Sequence, residues 1–285
     1  MVTLCTATVL KRLDKLPTLS PMVMRLAQEL AHRDTDGKHL ATLIEKDAVL
    51  CAQVLKAANS AMYSRRGKIS SVPQAVAFLG LSKLRRLALG FSLSNFFGRM
   101  RAASSWSATR FNLHALAVAT LADMVAARTR VPGAENAFIC ALLHDIGKLA
   151  IAVTSPEEYD VIAAYCSSHA TGPLEFERQI LGIDHAELSG IIVARWDLPA
   201  ELQQGVAYHH EPHKRPRAAG REHELHLCDL IFTANSAARA LGMVVEAIPQ
   251  VSNGAPELSL PGHDLPSKEI LGEFQDEWLR TCAAL

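Results

Sequence analysis

Apolar side chains recur at intervals of three and four along nearly the whole 285-residue chain, and strand-like alternation is scarce. That period belongs to helices with one buried face, so the pattern predicts an all-α protein. Asp34-Thr-Asp-Gly37 breaks the first helical stretch and residues 38–46 open the next. A longer pattern over residues 48–63 ends at the basic turn Ser64-Arg-Arg-Gly-Lys68; Ser70 or Ser71 then caps a helix that Pro73 can begin. Between Phe97 and Ser107 the residues turn small and polar, which marks a lobe boundary. Further helices follow from about Thr109, separated by Val131-Pro-Gly-Ala-Glu135 and Thr171-Gly-Pro173, and the Pro- and Gly-rich stretch 248–266 reads as a loop. A final amphipathic helix over residues 267–282 is expected to dock on the second lobe. The expected organisation is a first helical lobe at 1–105, a second at 106–247, and a loop with a docking helix at 248–285.

Composition narrows the class of protein. With 49% hydrophobic and 20% charged residues the chain is an ordinary globular one, long enough for a large core. Its 29 basic and 29 acidic side chains cancel, so no overall field draws it to nucleic acid or to an anionic membrane. The six cysteines form no Cys-x-x-Cys pair and read as reduced thiols. No stretch is read as reaching the roughly 20 apolar residues of a membrane span, and the N-terminus lacks a basic lead, so a cytoplasmic location is expected.

The chemistry concentrates in histidines and carboxylates set within apolar helical patterns. His144-Asp145 lies in Phe138-Ile-Cys-Ala-Leu-Leu-His-Asp-Ile-Gly-Lys148, read as one hydrophobic helix; a buried carboxylate there must be paired or bound to a cation. His114, His185, His209-His210 and Asp229 sit in or beside similar patterns. Such a mixture of nitrogen and oxygen donors suits iron, manganese, zinc or nickel. Lys148 shares a helix face with His144 and could meet a phosphate oxygen, or simply be solvated at a helix end. Asp184 reads as the cap of a helix beginning at His185, Glu211 as a solvated residue, and Cys140 as inert packing. Two basic clusters, Arg65-Arg66-Lys68 with Lys83, Arg85 and Arg86, and Lys214, Arg215, Arg217 and Arg221, read as exposed charged faces. The second could also neutralise an anionic ligand.

At His114, His144, Asp145 and Asp229 the chain resembles the HD phosphohydrolase superfamily, and His185, His209, His210 and Lys148 resemble its HD-GYP branch. Leu16-Pro-Thr-Leu, Ile44-Glu-Lys-Asp-Ala-Val-Leu50, Leu55-Lys-Ala-Ala-Asn-Ser-Ala61 and Ala75-Val-Ala-Phe-Leu-Gly-Leu81 are similar to the HDOD domain, the HD-related output domain of bacterial signalling proteins; this likeness covers about residues 10 to 240. The HD-GYP namesake segment is missing after His210, where the chain reads Glu211-Pro-His-Lys-Arg-Pro, and Arg110 stands where trinuclear members carry a ligand Glu. The resemblance implies a two-lobed HDOD/HD-like helical bundle. It also implies two divalent transition-metal ions, one on His114, His144, Asp145 and Asp229 and one, bridged by Asp145, on His185, His209 and His210. Asp145 and Lys148 would carry any catalysis. Asn59-Ser60 resembles a family hallmark with a structural role. HDOD domains as a family are regarded as non-catalytic, yet this chain keeps most HD ligands. Two functions stay open: a regulatory module with a protein partner and a nucleotide or phosphate ligand, or an active phosphodiesterase or phosphohydrolase.

Overall fold

A computed structural model describes residues 4–31, 37–59, 69–217, 224–246 and 256–282. Among them the protein is all-α, with no strand and a single isolated bridge between Leu260 and His263. In chain order the helices are α1 (Thr6–Arg12), α2 (Pro21–Ala31), α3 (Gly37–Glu45), α4 (Ala48–Ala58), α5 (Val72–Leu79), α6 (Leu81–Phe97), α7 (Ala108–Ala126) and α8 (Ala137–Leu143). They continue as α9 (Ile146–Thr154), α10 (Pro156–His169), α11 (Leu174–Leu181), α12 (His185–Arg195), α13 (Ala200–Ala207), α14 (Leu227–Ala240) and α15 (Ser267–Cys282).

The chain divides into two compact units, Met1–Thr18 with Arg99–Ser267, and Leu19–Gly98 with Lys268–Leu285. Both ends therefore differ from the organisation expected above. The last helix groups with the first lobe, where Glu277 pairs with Lys83 at 2.7 Å. The first residues group with the second lobe: Leu4 N donates to Ile180 O at 2.8 Å, Arg12 reaches Ser155 and Glu158, and Arg195 pairs with Asp14. An amphipathic pattern reports that a helix has a face to bury, and it carries no information about which lobe buries it.

In the smaller unit the helices follow their caps. Asp47 accepts from Val49 N and Leu50 N at the start of α4, and Ser71, the second of the two candidate serines, caps α5. The α4 pattern stops at Ala58, short of the expected Tyr63, because Asn59 leaves the helix and binds the returning chain: its amide donates to Leu55 O and Ile69 O and accepts from Ile69 N. This is the structural role expected of Asn59; Ser60, Arg65, Arg66 and Lys68 lie outside the described residues, as does the expected break at 34–36.

The larger unit surrounds a core of α7, α8, α9, α12, α13 and α14. The stretch Ala134–Thr154 corrects one expectation, since by length and composition it could cross a membrane; its apolar window is 94% buried as core. It is also not one helix. His144 ends α8, and Asp145, with φ −101° and ψ 14°, begins α9. An interruption at the dipeptide replaces the continuous helix read from its apolar neighbours.

Candidate metal centre

Five histidines from four places in the larger unit close on the Asp145 carboxylate. His114 comes from the middle of α7, His144 and Asp145 from the α8–α9 joint, His185 from the first position of α12, and His209-His210 from just after α13. The local reasons are visible at each. Asp184 caps α12 in a capping box with Glu187, which sets His185 at the helix start. Gly147 lets α9 lie against that start, because a Cβ there would stand 2.0 Å from His185 O. Ser189 ties the two, accepting from Gly147 N at 2.9 Å and donating to His185 O at 2.7 Å.

The donors fall into two groups that share Asp145. On the Oδ1 side stand His185 Nε2 at 3.2 Å and His209 Nε2 at 3.5 Å, with His210 Nε2 3.0 Å from His185 Nε2. On the Oδ2 side, His114 Nε2 and His144 Nε2 each lie at 3.4 Å, and 3.3 Å from one another. Donors bonded at about 2.1 Å around a tetrahedral ion stand about 3.4 Å apart, so both groups have the spacing of a metal polyhedron.

Outer partners fix the rings. His114 Nδ1 donates to Met243 O at 2.7 Å, His144 Nδ1 to Ala141 O at 2.6 Å, and His209 Nδ1 to Val206 O at 2.6 Å. A carbonyl only accepts, so the proton of each neutral ring sits on Nδ1 and the Nε2 lone pair faces Asp145. Burial keeps His144, His209 and His210 below the ordinary imidazole range. Burial opposes the charge on Asp145, yet His144 and the Lys148 ammonium beside it hold its carboxyl well below the usual range. Lone pairs thus converge on an anion. Asp145 Oδ1 and His209 Nε2 are buried without a hydrogen-bond partner, which is the condition a bound cation relieves; Asp145 Oδ2 meets the Lys148 ammonium.

His185 differs from His144, His209 and His210. Burial lowers its pKa, but Glu177 outweighs that and lifts it to about 9. Glu177 Oε2 accepts from His185 Nδ1 at 2.6 Å and from His185 N at 2.8 Å, while Glu177 itself is only 3% exposed. This residue was not singled out in the sequence. Its spacing of three and four from the buried Ile180 and Leu181 on α11 was the available signal. Carboxylates so placed orient metal-bound histidines. Glu177→Ala is expected to weaken Zn²⁺ binding by about 10- to 100-fold, measured by competition with a chromogenic chelator; an unchanged affinity would remove this role.

Lys148 is fully buried, with its ammonium 2.9 Å from Asp145 Oδ2 and 3.0 Å from Glu246 Oε1. It is not solvated, and it stands in the first turn of α9, where it does not end a helix. Glu246, on the irregular segment after α14, carried no periodic signal that would have marked it. Asp229 also departs from its expected place. It belongs to neither donor group: its Oδ2 accepts from His226 N at 2.9 Å, capping α14, and its Oδ1 lies 3.8 Å from Arg217. A carboxylate three residues into a helix has exposed backbone N–H groups within reach, and here the cap holds it.

Two cavities adjoin the cluster. One of about 710 Å³ is lined by His210, Arg217, Asp229 and Phe232 among others, and one of about 350 Å³ by His210, Phe232, Asn235, Ser236 and Arg239. His210 and the exposed ring of Phe232 belong to both. Asn235, nearly buried, leaves its Oδ1 without a hydrogen-bond partner. The second basic cluster is tied down locally: Lys214 pairs with Glu211, Arg215 donates to Gln204, and Arg217 donates to Pro212 O. Glu211 also pairs with Arg178, so it is engaged on both sides; Arg221 lies outside the described residues. Cys140 is buried beside α13 and burial pushes its thiol well up, as inert packing requires.

The HDOD domain profile matches residues 16–212, more than half of the chain. The chain belongs to the HDOD family. An uncharacterized protein of Treponema pallidum (strain Nichols) is 23% identical over 214 residues, which is 73% of this HDOD chain and 40% of the relative, so the chain spans about two-fifths of that relative's length. Among solved structures, an HDOD domain protein of unknown function from Geobacter sulfurreducens matches with TM-score 0.78 and 24% identity, covering 98% of this chain and 97% of the other. A candidate metal-dependent phosphohydrolase from Shewanella amazonensis SB2B matches with TM-score 0.58 and 20% identity, over 98% and 97% of the two chains. These likenesses establish the HDOD fold.

Proposed function

We propose that this HDOD protein is a regulatory module built on a carboxylate-bridged two-ion centre that binds a nucleotide or another phosphate-bearing ligand. Asp145 with His185, His209 and His210 would hold one ion, and Asp145 with His114 and His144 the other. The observation that carries the reading is the set of inward-facing lone pairs, with outer partners fixing the rings and Asp145 Oδ1 left without a hydrogen bond. First-row divalent ions such as iron, manganese, zinc or nickel suit this donor set. The cavities at His210 support the ligand: Arg217 and Arg239 offer guanidinium groups to phosphate, and the Phe232 ring offers a flat apolar face. A partner protein in a signalling pathway completes the reading, as the family's output role implies.

Phosphoester hydrolysis is the second reading, favoured by cavities that reach His210 directly. Bound ions of this kind supply a nucleophilic water near neutral pH and stabilise charge on phosphate oxygens. The chain's own contribution would be to hold the rings through Met243, Ala141, Val206 and Glu177 and to present the phosphate at Arg217 and Arg239. Lys148 is committed to two carboxylates and is not aimed at a ligand.

Metal analysis of the purified full chain, then hydrolysis of bis(p-nitrophenyl) phosphate with added Mn²⁺ or Fe²⁺, separates these readings, with Asp145→Ala as control. Stoichiometric metal without turnover supports the regulatory module, and turnover lost in the variant supports hydrolysis. Protein that takes up no metal under any loading condition would overturn both.

A further inference from the structure

The two donor groups share one carboxylate but are not equivalent. The Oδ1 side offers four donors, from Asp145, His185, His209 and His210; the Oδ2 side offers three, from His114, His144 and Asp145. Asp229, which the sequence would supply as a fourth, caps α14 instead. The oxygen that serves the three-donor side is also the one that carries the Lys148 ammonium at 2.9 Å. Lys148 is 2% exposed and cannot swing into water, and its other contact is Glu246, itself 6% exposed. Glu246 follows Met243, whose carbonyl holds His114, so one short segment after α14 positions both a ring of the three-donor side and the cation beside it.

We infer that the two groups load unequally: the Oδ1 group takes its ion first and tightly, the Oδ2 group takes its ion weakly, and Lys148, positioned by Glu246, sets the difference. The inference rests on the two-ion reading above. An ion on the Oδ2 side shares its carboxylate oxygen with a fixed ammonium, has one donor fewer, and lies where water cannot screen the repulsion. Glu246 acts as a positioning residue, holding the ammonium on Asp145 and offsetting part of its charge. Removing each partner should therefore move the second ion in opposite directions. Lys148→Met removes the competing cation and tightens it, and Glu246→Gln removes the offsetting anion and loosens it. The double variant Lys148→Met/Glu246→Gln restores charge balance between the two positions and isolates the loss of the ammonium from any attraction of an uncovered Glu246.

The test is a stepwise Mn²⁺ titration of the metal-stripped full chain, read by the electron paramagnetic resonance signal of free Mn²⁺, with circular dichroism to verify folding of each variant. Two dissociation constants at least about tenfold apart are expected in the wild type. The gap should narrow about tenfold in Lys148→Met and in the double variant relative to Glu246→Gln, and widen in Glu246→Gln, with the first constant unmoved. A wild type that binds two ions with equal affinity overturns this inference and leaves the metal centre standing, as does a second constant that is the same in Lys148→Met and the double variant as in their reference proteins. Absence of any binding overturns the metal reading along with it.

Discussion

Asp145→Ala is expected to empty both donor groups at once, because each uses a different oxygen of the same carboxylate. An ion present at a thousandfold above its dissociation constant stabilises the folded wild type by about 4 kcal/mol. The variant should show none of that stabilisation, and its melting temperature should be the same with Mn²⁺ and with chelator. His210→Ala, by comparison, removes a donor from the Oδ1 group alone and should leave part of the metal-dependent shift. Differential scanning calorimetry with and without Mn²⁺ checks both, and an Asp145→Ala protein that still gains several degrees from metal would show that the bridging carboxylate is not needed. The metal-free variant should stay folded, since Lys148 keeps Glu246 at 3.0 Å and is not left as an unpaired buried charge.

Gly147→Ala is the second large effect. One methyl group would sit 2.0 Å from His185 O and 2.8 Å from His185 C, which is backbone that no rotamer change can clear. Either α9 or the start of α12 must shift, and both carry donors of the centre. Overpacking of this kind costs about 3 kcal/mol, and the displacement of His185 from Asp145 should weaken metal binding in the same variant. Chemical denaturation gives the first and chelator competition the second. Wild-type affinity in a destabilised Gly147→Ala would mean that the helix contact serves the fold alone.

How much of this could be read from residues alone depended on the kind of signal. The helices were legible because their apolar spacing is local, and Ser71 and Asp184 mark two of their starts with side chains that accept backbone N–H groups. His114, His144, Asp145, His185, His209 and His210 stood out as polar residues in apolar surroundings, and the structure brings all six together. The break in the helix at His144-Asp145 was hidden, because no glycine or proline immediately precedes the joint and the residues before it are uniformly apolar. Asp229 satisfied the family order but lies where a helix start competes for its oxygens. Glu246 was invisible because an irregular segment has no period to violate, and its meaning comes only from Lys148, nearly a hundred residues earlier. Glu177 was readable in principle from its place on the apolar side of α11.

The grouping of residues 1–18 with the larger unit and of 268–285 with the smaller one has a practical result for anyone dissecting this protein. A single cut near residue 98 yields two fragments that each carry a terminal piece of the other's core and lack one of their own. Autonomous expression of the histidine-bearing part would need its leading 18 residues joined to residue 99 through a linker. During synthesis, too, the smaller unit stays incomplete until residues 268–285 have left the ribosome.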